Sequence, residues 1–325
     1  MILCTWMKKR TERGLYGAMV IVSVIIGLVA LFPMVDAADG KQKGFASPKD
    51  AAHALVEAVR HDDKESLFAI LGTDAQGLIG SGDEIQDRAD RDHFVRAYGE
   101  KHFLENEGEE KALLFVGDKD WPFPIPIIKK GQDWVFDTKG GKEEILNRRI
   151  GRNELTVIEI LMAYADAQRE YASKDRNGDG ILEYAQKIAS DSGKQDGLYW
   201  EAKEERERSP FGPLVARAAR DGYQVPKGKD MGQPIPYYGY LYRILKGQGN
   251  HAARGAADYV VNGKMVLGFA LLAYPARYGS SGIMTFMVNQ DGVVHEKDLG
   301  KDTAAVVDTI KIYDPDPTWK KVSPH

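Results

Sequence analysis

The sequence predicts an α+β fold made of two successive helix-then-sheet units. Apolar residues recur at helical spacing up to about residue 104, and short β-like runs separated by Gly, Asp and Pro follow to residue 138. A second long helical stretch then leads into a hairpin-rich β region that fills the C-terminal part. Helices segregated from antiparallel strands, rather than alternating with them, define the α+β pattern.

The first element is a targeting segment. Lys8, Lys9, Arg10 and Arg13 precede an uncharged apolar stretch, 15–35, and the small residues Val35 and Ala37 suit a signal peptidase. This pattern predicts a secretory signal over 1–37 and a periplasmic or secreted protein. The alternative is an uncleaved anchor in the inner membrane, since about 20 apolar residues span a bilayer. Membrane contact is expected only through that segment. The single cysteine, Cys4, lies ahead of it, so the processed chain would carry no thiol. That excludes a disulfide framework, a thiolate zinc site and a cysteine nucleophile. Removing 1–37 takes away four basic and two acidic residues, leaving 40 Lys/Arg against 46 Asp/Glu, a net charge of −6. A mildly acidic chain of mixed charge is a poor match for phosphate backbones, so no nucleic-acid partner is expected.

Residues 38–46 read as a polar linker, and 47–150 as the first domain. Ser47 caps a helix that continues through Ala51, Ala52, Leu55, Val56 and Val59, with Pro48 in its first turn. A second helix spans HDDKESLFAIL and stops at Gly72; a third is expected over 91–104 with Phe94, Val95, Tyr98 and Phe103 as its buried stripe. EKALLFVG, FPIPIIKK and QDWVFDT are the strands. Pro122, Pro124 and Pro126 confine their segment to an edge strand or an extended lead-in, because each lacks a backbone donor. Gly131-Gln132 reads as a hairpin turn.

The second domain is expected over 151–325. Its long helix is predicted from about Asn153 to Ser173, with Ile158, Leu161, Met162, Ala165 and Gln168 on one face. A short helix over 181–190 and another over 209–222 follow. The rest is β, with an Asn262-Gly263 hairpin, a second hairpin turning at 289–292, and a short helix around 304–310.

Several long stretches resemble a bacterial family of secreted proteins known as domain of unknown function 2950. They include WPFPIPIIKK (121–130), WVFDTKGGKEEILNRRIGRNEL (134–155), DAQREYA (166–172), DGLYW (196–200), SPFGPL (209–214), PYYGYLYRIL (236–245), GFALLAYPARYGSSGIMTFMVNQDG (268–292) and KDLG (297–300). At the level of fold alone, the first half resembles the SnoaL-like, or nuclear-transport-factor-like, arrangement of helices wrapped by a curved antiparallel sheet. The second half is similar to the globular heads of type II secretion pseudopilins, a long helix packed on a hairpin-rich sheet. Both folds host enzymes and non-enzymes, so neither resemblance implies an activity.

Four residue groups could carry chemistry. Asp175, Asn177, Asp179 and Glu183 alternate as calcium ligands do, with Gly180 at the sixth place of the loop. Gln186 stands where the twelfth-position Glu of an EF-hand would be, so the loop is either a calcium site or a solvated turn. Asp90 and Asp92, with His93, are candidates for a general base in a polar pocket of the first domain, or else part of a solvated helix start. Arg148, Arg149 and Arg152, with Glu154, suggest an inter-domain ion-pair cluster or an anion site. Tyr238, Tyr240 and Tyr242 would share one face of a strand, either packed on the long helix or exposed as an aromatic binding surface. No HExxH pair, serine elbow or phosphate loop occurs, and Ser280-Ser281 reads as a hairpin loop. The expectation is a non-enzymatic binding or scaffolding module of the envelope, acting on an envelope protein or a small ligand. The alternative is a periplasmic enzyme using a polar pocket in the first domain.

Overall fold

Two large hydrophobic cores, and a small third cluster of Ile160, Ala218, Tyr223 and Tyr238, form around one helix that contributes to all three. The computed structural model describes residues 42–202, 208–224 and 235–322. The expected targeting segment, the anchor over 15–35 and Cys4 lie outside the described residues, and among the described residues no helix is long and apolar enough to cross a membrane.

The expected linker is already fixed by residue 42. Gln42 Nε2 donates to the carbonyls of Ile70 and Phe136, and Phe45 is 8% exposed and bridges to Trp134. Helix α1, Pro48–Arg60, starts where the Ser47 hydroxyl accepts the Asp50 N–H at 3.1 Å. Helix α2, Lys64–Leu71, is capped by Asp63. The third helix, α3, covers Glu84–Glu100 rather than 91–104. Its first turns hold few apolar residues, so the helical period is faint there; the Asp83 cap, accepting the Gln86 N–H, sets the start. Phe103 consequently falls in a strand, where it is 38% exposed and stacks on Phe115.

Strands β1 (His102–Asn106), β2 (Lys111–Val116), β3 (Trp121–Pro122), β4 (Ile127–Lys130) and β5 (Asp133–Phe136) form an antiparallel sheet in the order β1-β2-β4-β5, with β3 also pairing β2. Both options expected for the prolines hold. Pro122 lies on β3, an edge strand that pairs only with β2, and Pro124 and Pro126 lie in the extended lead-in to β4, which itself sits between β2 and β5. Gly131, at φ 68°, makes the tight turn between β4 and β5.

Helix α4 runs Thr138–Tyr171, 34 residues. It begins fifteen residues before the expected start, so the boundary drawn after residue 150 falls inside a continuous helix. Ile145 packs on the first core, while Val157, Leu161 and Tyr164 are buried in the second. The described residues form one compact unit. The expected helix over 181–190 is irregular instead. Buried Gln168 explains this: its amide accepts the Ala185 N–H and donates to the Ala185 carbonyl, both at 2.8 Å, satisfying backbone that a helix would otherwise pair.

Helix α5 is Gly212–Arg220, ending near Gly222. Strand β6 is Tyr240–Leu245; short pieces β7 (Gly247–Gln248), β8 (Ala257–Asp258), β9 (Val260–Val261) and β10 (Lys264–Met265) follow. Then come β11 (Ala270–Pro275), β12 (Met284–Asn289), β13 (His295–Asp298), α6 (Thr303–Thr309) and β14 (Lys320–Lys321). The large antiparallel sheet has the order β14-β13-β12-β11-β6, and α4 packs on β11 and β12. Both expected hairpins form. Asn262 and Gly263 each take left-handed backbone, at φ 51° and 81°, as a two-residue hairpin requires. The Gly292 N–H closes the second turn on the Asn289 carbonyl.

Candidate functional site

The early start of α4 creates the site. Ile145, Arg148, Arg149 and Arg152 follow the i, i+3, i+4, i+7 spacing and share one helix face. On α3 the same spacing aligns Asp87, Asp90, Arg91 and Phe94. These two faces, with α1, α2 and the β2–β3 region, line a cavity of about 720 Å³. Its inner wall is apolar: Leu55, Val59, Leu67, Leu71, Phe94 and Phe123 all reach it. The apolar period of α1 and α2 and the alternation of FPIPI direct those side chains inward.

Charged groups gather on the α3–α4 side. Arg149 is 9% exposed, and its Nη1 and Nη2 each donate, at 2.8 Å, to the carbonyls of Gly77 and Leu78. Burial pushes its guanidinium pKa down, and the fields of Asp87 and Asp90 oppose that shift. Arg149 makes no ion pair with a described carboxylate. Arg152 is half exposed and donates to Asp90 Oδ2 at 2.7 Å, while Asp90 Oδ1 accepts from Gln86 at 3.0 Å. Arg148 pairs with Glu144 one turn earlier, at 2.6 Å, and lies over the Trp121 ring, 5.4 Å from its centroid. Asp87 is buried and accepts the Ser81 N–H on both oxygens, at 2.8 and 3.1 Å.

Of the candidate acids, Asp90 lines the cavity and Asp92 does not; Asp92 is on the exposed face of α3. His93 reaches the rim from an exposed position. The arginine cluster forms without Glu154. Two residues beyond Arg152, Glu154 lies on nearly the opposite helix face and accepts the N–H groups of Ile283 and Met284, both at 2.9 Å. The 77–83 loop at the edge of the cavity is tied to the second core. Ser280 Oγ donates to the same Gly77 carbonyl that Arg149 uses, at 2.9 Å, and Arg277 donates to Gly80. Ser280 and Ser281 sit, as expected, in the loop joining β11 and β12.

The tyrosines do not make an exposed surface. Tyr240 is fully buried and donates to the Met284 carbonyl, and Tyr238 is 8% exposed. Tyr238 has φ 50° and lies in a turn, closed by the Tyr237–Tyr240 bridge, so strand alternation begins only at Tyr240. Tyr242 is half-buried against Tyr237, and burial raises its pKa well above the ordinary tyrosine value.

The loop 175–183 is closed by its own backbone. Asp175 accepts the N–H groups of Gly178 and Gly180 at 2.8 and 2.7 Å, and Asn177 donates to Glu183 at 2.9 Å. Lys264, on β10, pairs with Asp179 and stands 3.6 Å from Glu183. Among the described residues, no group of three acidic, His or Cys side chains converges as a metal site. Lys264 supplies the positive charge that two of the expected calcium ligands would meet, so the donor set does not fit calcium without displacing it.

Sequence reasoning missed Arg149 as a buried, cavity-lining cation and missed Asp83 altogether. The i, i+3, i+4, i+7 spacing of 145–152, running on into Asn153, Val157 and Ile160, was the available signal for the first.

Fold and site together define an α+β protein with an apolar cavity roofed by an arginine-bearing helix. Residues 42–322 match the family described as protein of unknown function (DUF2950), and the chain belongs to that family. No curated protein and no solved structure matches it.

Proposed function

We propose that this protein is a non-enzymatic binding module of the bacterial envelope that takes a small, apolar-bodied ligand into the cavity between α1, α2, α3 and α4. The cavity itself carries this reading. At about 720 Å³ it falls within the roughly 300–1,000 Å³ typical of small-molecule sites, and like them it has apolar walls with a few convergent polar groups. The envelope location rests on the basic flank, apolar stretch and small-residue exit of residues 8–37. A SnoaL-like reading of the first lobe is supported by α1–α3 followed by a five-stranded antiparallel sheet. The sequence of α4 and a second five-stranded sheet supports a pseudopilin-head-like reading of the second.

The test uses Nile red, an uncharged dye that brightens in apolar surroundings, with the protein purified as its host processes it. Saturable binding is expected, and Ala97→Phe, which fills the cavity from α3, is expected to abolish it with the unfolding midpoint unchanged. Dye binding that survives Ala97→Phe sinks the cavity reading, as does no saturable binding at all.

A second reading, a periplasmic enzyme, is favoured by one observation: Asp90 and His93 both line the cavity. Against it, both Asp90 oxygens already accept hydrogen bonds, from Gln86 and Arg152.

A further inference from the structure

On the cavity reading, the lining also decides the ligand's charge. Arg149 is more than nine-tenths buried, lines an apolar cavity and has no described carboxylate within ion-pair reach. Two of its nitrogens each serve one backbone carbonyl, whereas a guanidinium carries five N–H donors. Charges taken out of water are ordinarily paired, because an uncompensated one is strongly destabilising. Asp87 and Asp90 lend Arg149 a favourable field but form no ion pair with it: Asp87 accepts the Ser81 N–H and Asp90 pairs with Arg152.

The neighbouring arginines on the same face are available. The Arg152–Asp90 and Arg148–Glu144 pairs are exposed or half-exposed, and exposed pairs contribute little to stability. Either guanidinium can therefore turn to a better acceptor at small cost. The full lining holds five cationic side chains (Arg91, Arg148, Arg149, Arg152 and Lys119) against four acidic ones (Asp87, Asp90, Glu100 and Asp118). Arg91 and Arg148 are paired with Asp62 and Glu144 just outside the lining, and Arg152 with Asp90. Of the three α4 arginines, Arg149 alone therefore lacks an ion-pair partner among the described residues, and one anionic group would serve it. Arginine forks match the planar, bidentate carboxylate.

We propose that the cavity takes an amphipathic monoanion, its apolar body against Leu55, Leu67, Phe94 and Phe123 and its carboxylate head at Arg149 and Arg152. The acidic lining sets the selectivity: Asp87 and Asp90 beside the arginines disfavour a dianion.

Displacement of Nile red by dodecanoate and by dodecanol, which share the chain and differ in the head, tests this. Dodecanoate is expected to displace the dye at a concentration lower by at least about tenfold, the worth of one charge-assisted hydrogen bond. Arg152→Gln is expected to cut that preference several-fold. Arg149→Met should abolish it, but it also leaves the Gly77 and Leu78 carbonyls without their donor and can unfold the loop. Arg149→Lys keeps a cation for those carbonyls and removes the fork, so it is the variant of record if the methionine form is unstable; the preference should again fall. Equal displacement by the two compounds overturns the head-group assignment and leaves the cavity reading intact. A dodecanoate preference unchanged in both Arg152→Gln and Arg149→Lys also overturns it. Saturable dye binding that neither compound displaces overturns the assignment as well, whereas absent dye binding removes the cavity reading beneath it.

Discussion

Asp83 is 2% exposed and performs two tasks with its two oxygens. Oδ1 caps α3, and Oδ2 accepts the Tyr223 hydroxyl at 2.7 Å and the Gly239 N–H at 2.8 Å. One buried carboxylate thus fixes the helix that lines the cavity and joins it to the strand region of the second core. Tyr223 responds as expected of a phenol that is both desolvated and facing a carboxylate: its pKa is driven far up. Lys264 acts on the loop 175–183 in a comparable way. Its ammonium holds the Asp179 carboxyl below the usual carboxylate range, and backbone N–H groups, Gly180 first, do the same for Asp175. Calcium would have to displace a lysine already in place. Thermal unfolding in millimolar calcium and in EDTA is therefore expected to give midpoints within about one degree of each other. A rise of several degrees with calcium would restore the calcium site at Asp175, Asn177, Asp179 and Glu183.

Helix α4 holds two glycines whose replacement has opposite consequences. A Cβ on Gly141 would meet the Pro124 carbonyl oxygen at 2.3 Å and the Ile125 Cα at 2.5 Å, both backbone atoms. The first turn of α4 thus lies directly against the lead-in to β4, and only glycine permits that approach. A Cβ on Gly151 would meet nothing within 4 Å. Gly141→Ala is expected to lower stability by roughly 1–3 kcal/mol through overpacking. Gly151→Ala should raise it by about 1 kcal/mol through helix propensity and lost unfolded-state freedom. Urea midpoints compared with the parent decide both. A stabilising Gly141→Ala would mean that α4 does not contact the lead-in, and with it the cavity wall would have to be redrawn.

Across the whole molecule, the second core and the small cluster beside it are rich in buried phenols. Burial pushes the Tyr238 and Tyr259 pKa values up to about 12, and those of Tyr164, Tyr240 and Tyr313 higher still. Below about pH 10, the ordinary tyrosine value, folded and unfolded chains both keep these protons and stability does not depend on them. Between pH 10 and about 12 the unfolded chain releases protons that the folded chain retains. Stability therefore falls as pH rises through that window. Phenolate absorbance from these residues should appear together with loss of near-UV circular dichroism. Phenolates forming near pH 10 with the fold intact would show that these hydroxyls are open to water.

The sequence by itself determined the α+β class, the family, and the elements whose signals are local. Ser47 before Pro48, Asn262-Gly263 and the 289–292 turn need only neighbouring residues to act, because caps and tight turns are closed by side chains and dihedrals a few positions apart. Tertiary structure decided the rest. Gln168 keeps 181–190 from becoming a helix by pairing its backbone across seventeen residues of chain. Tyr238 leaves the strand face because its backbone turns left-handed before β6. The arginines of 148–152 were visible as a cluster, but whether they face one another, Glu154 or a cavity depends on helix phase and on what packs opposite. That opposite face comes from α1, α2, α3 and β3, up to about a hundred residues away in sequence. A cavity is a property of surfaces brought together, and no local pattern encodes the space left between them.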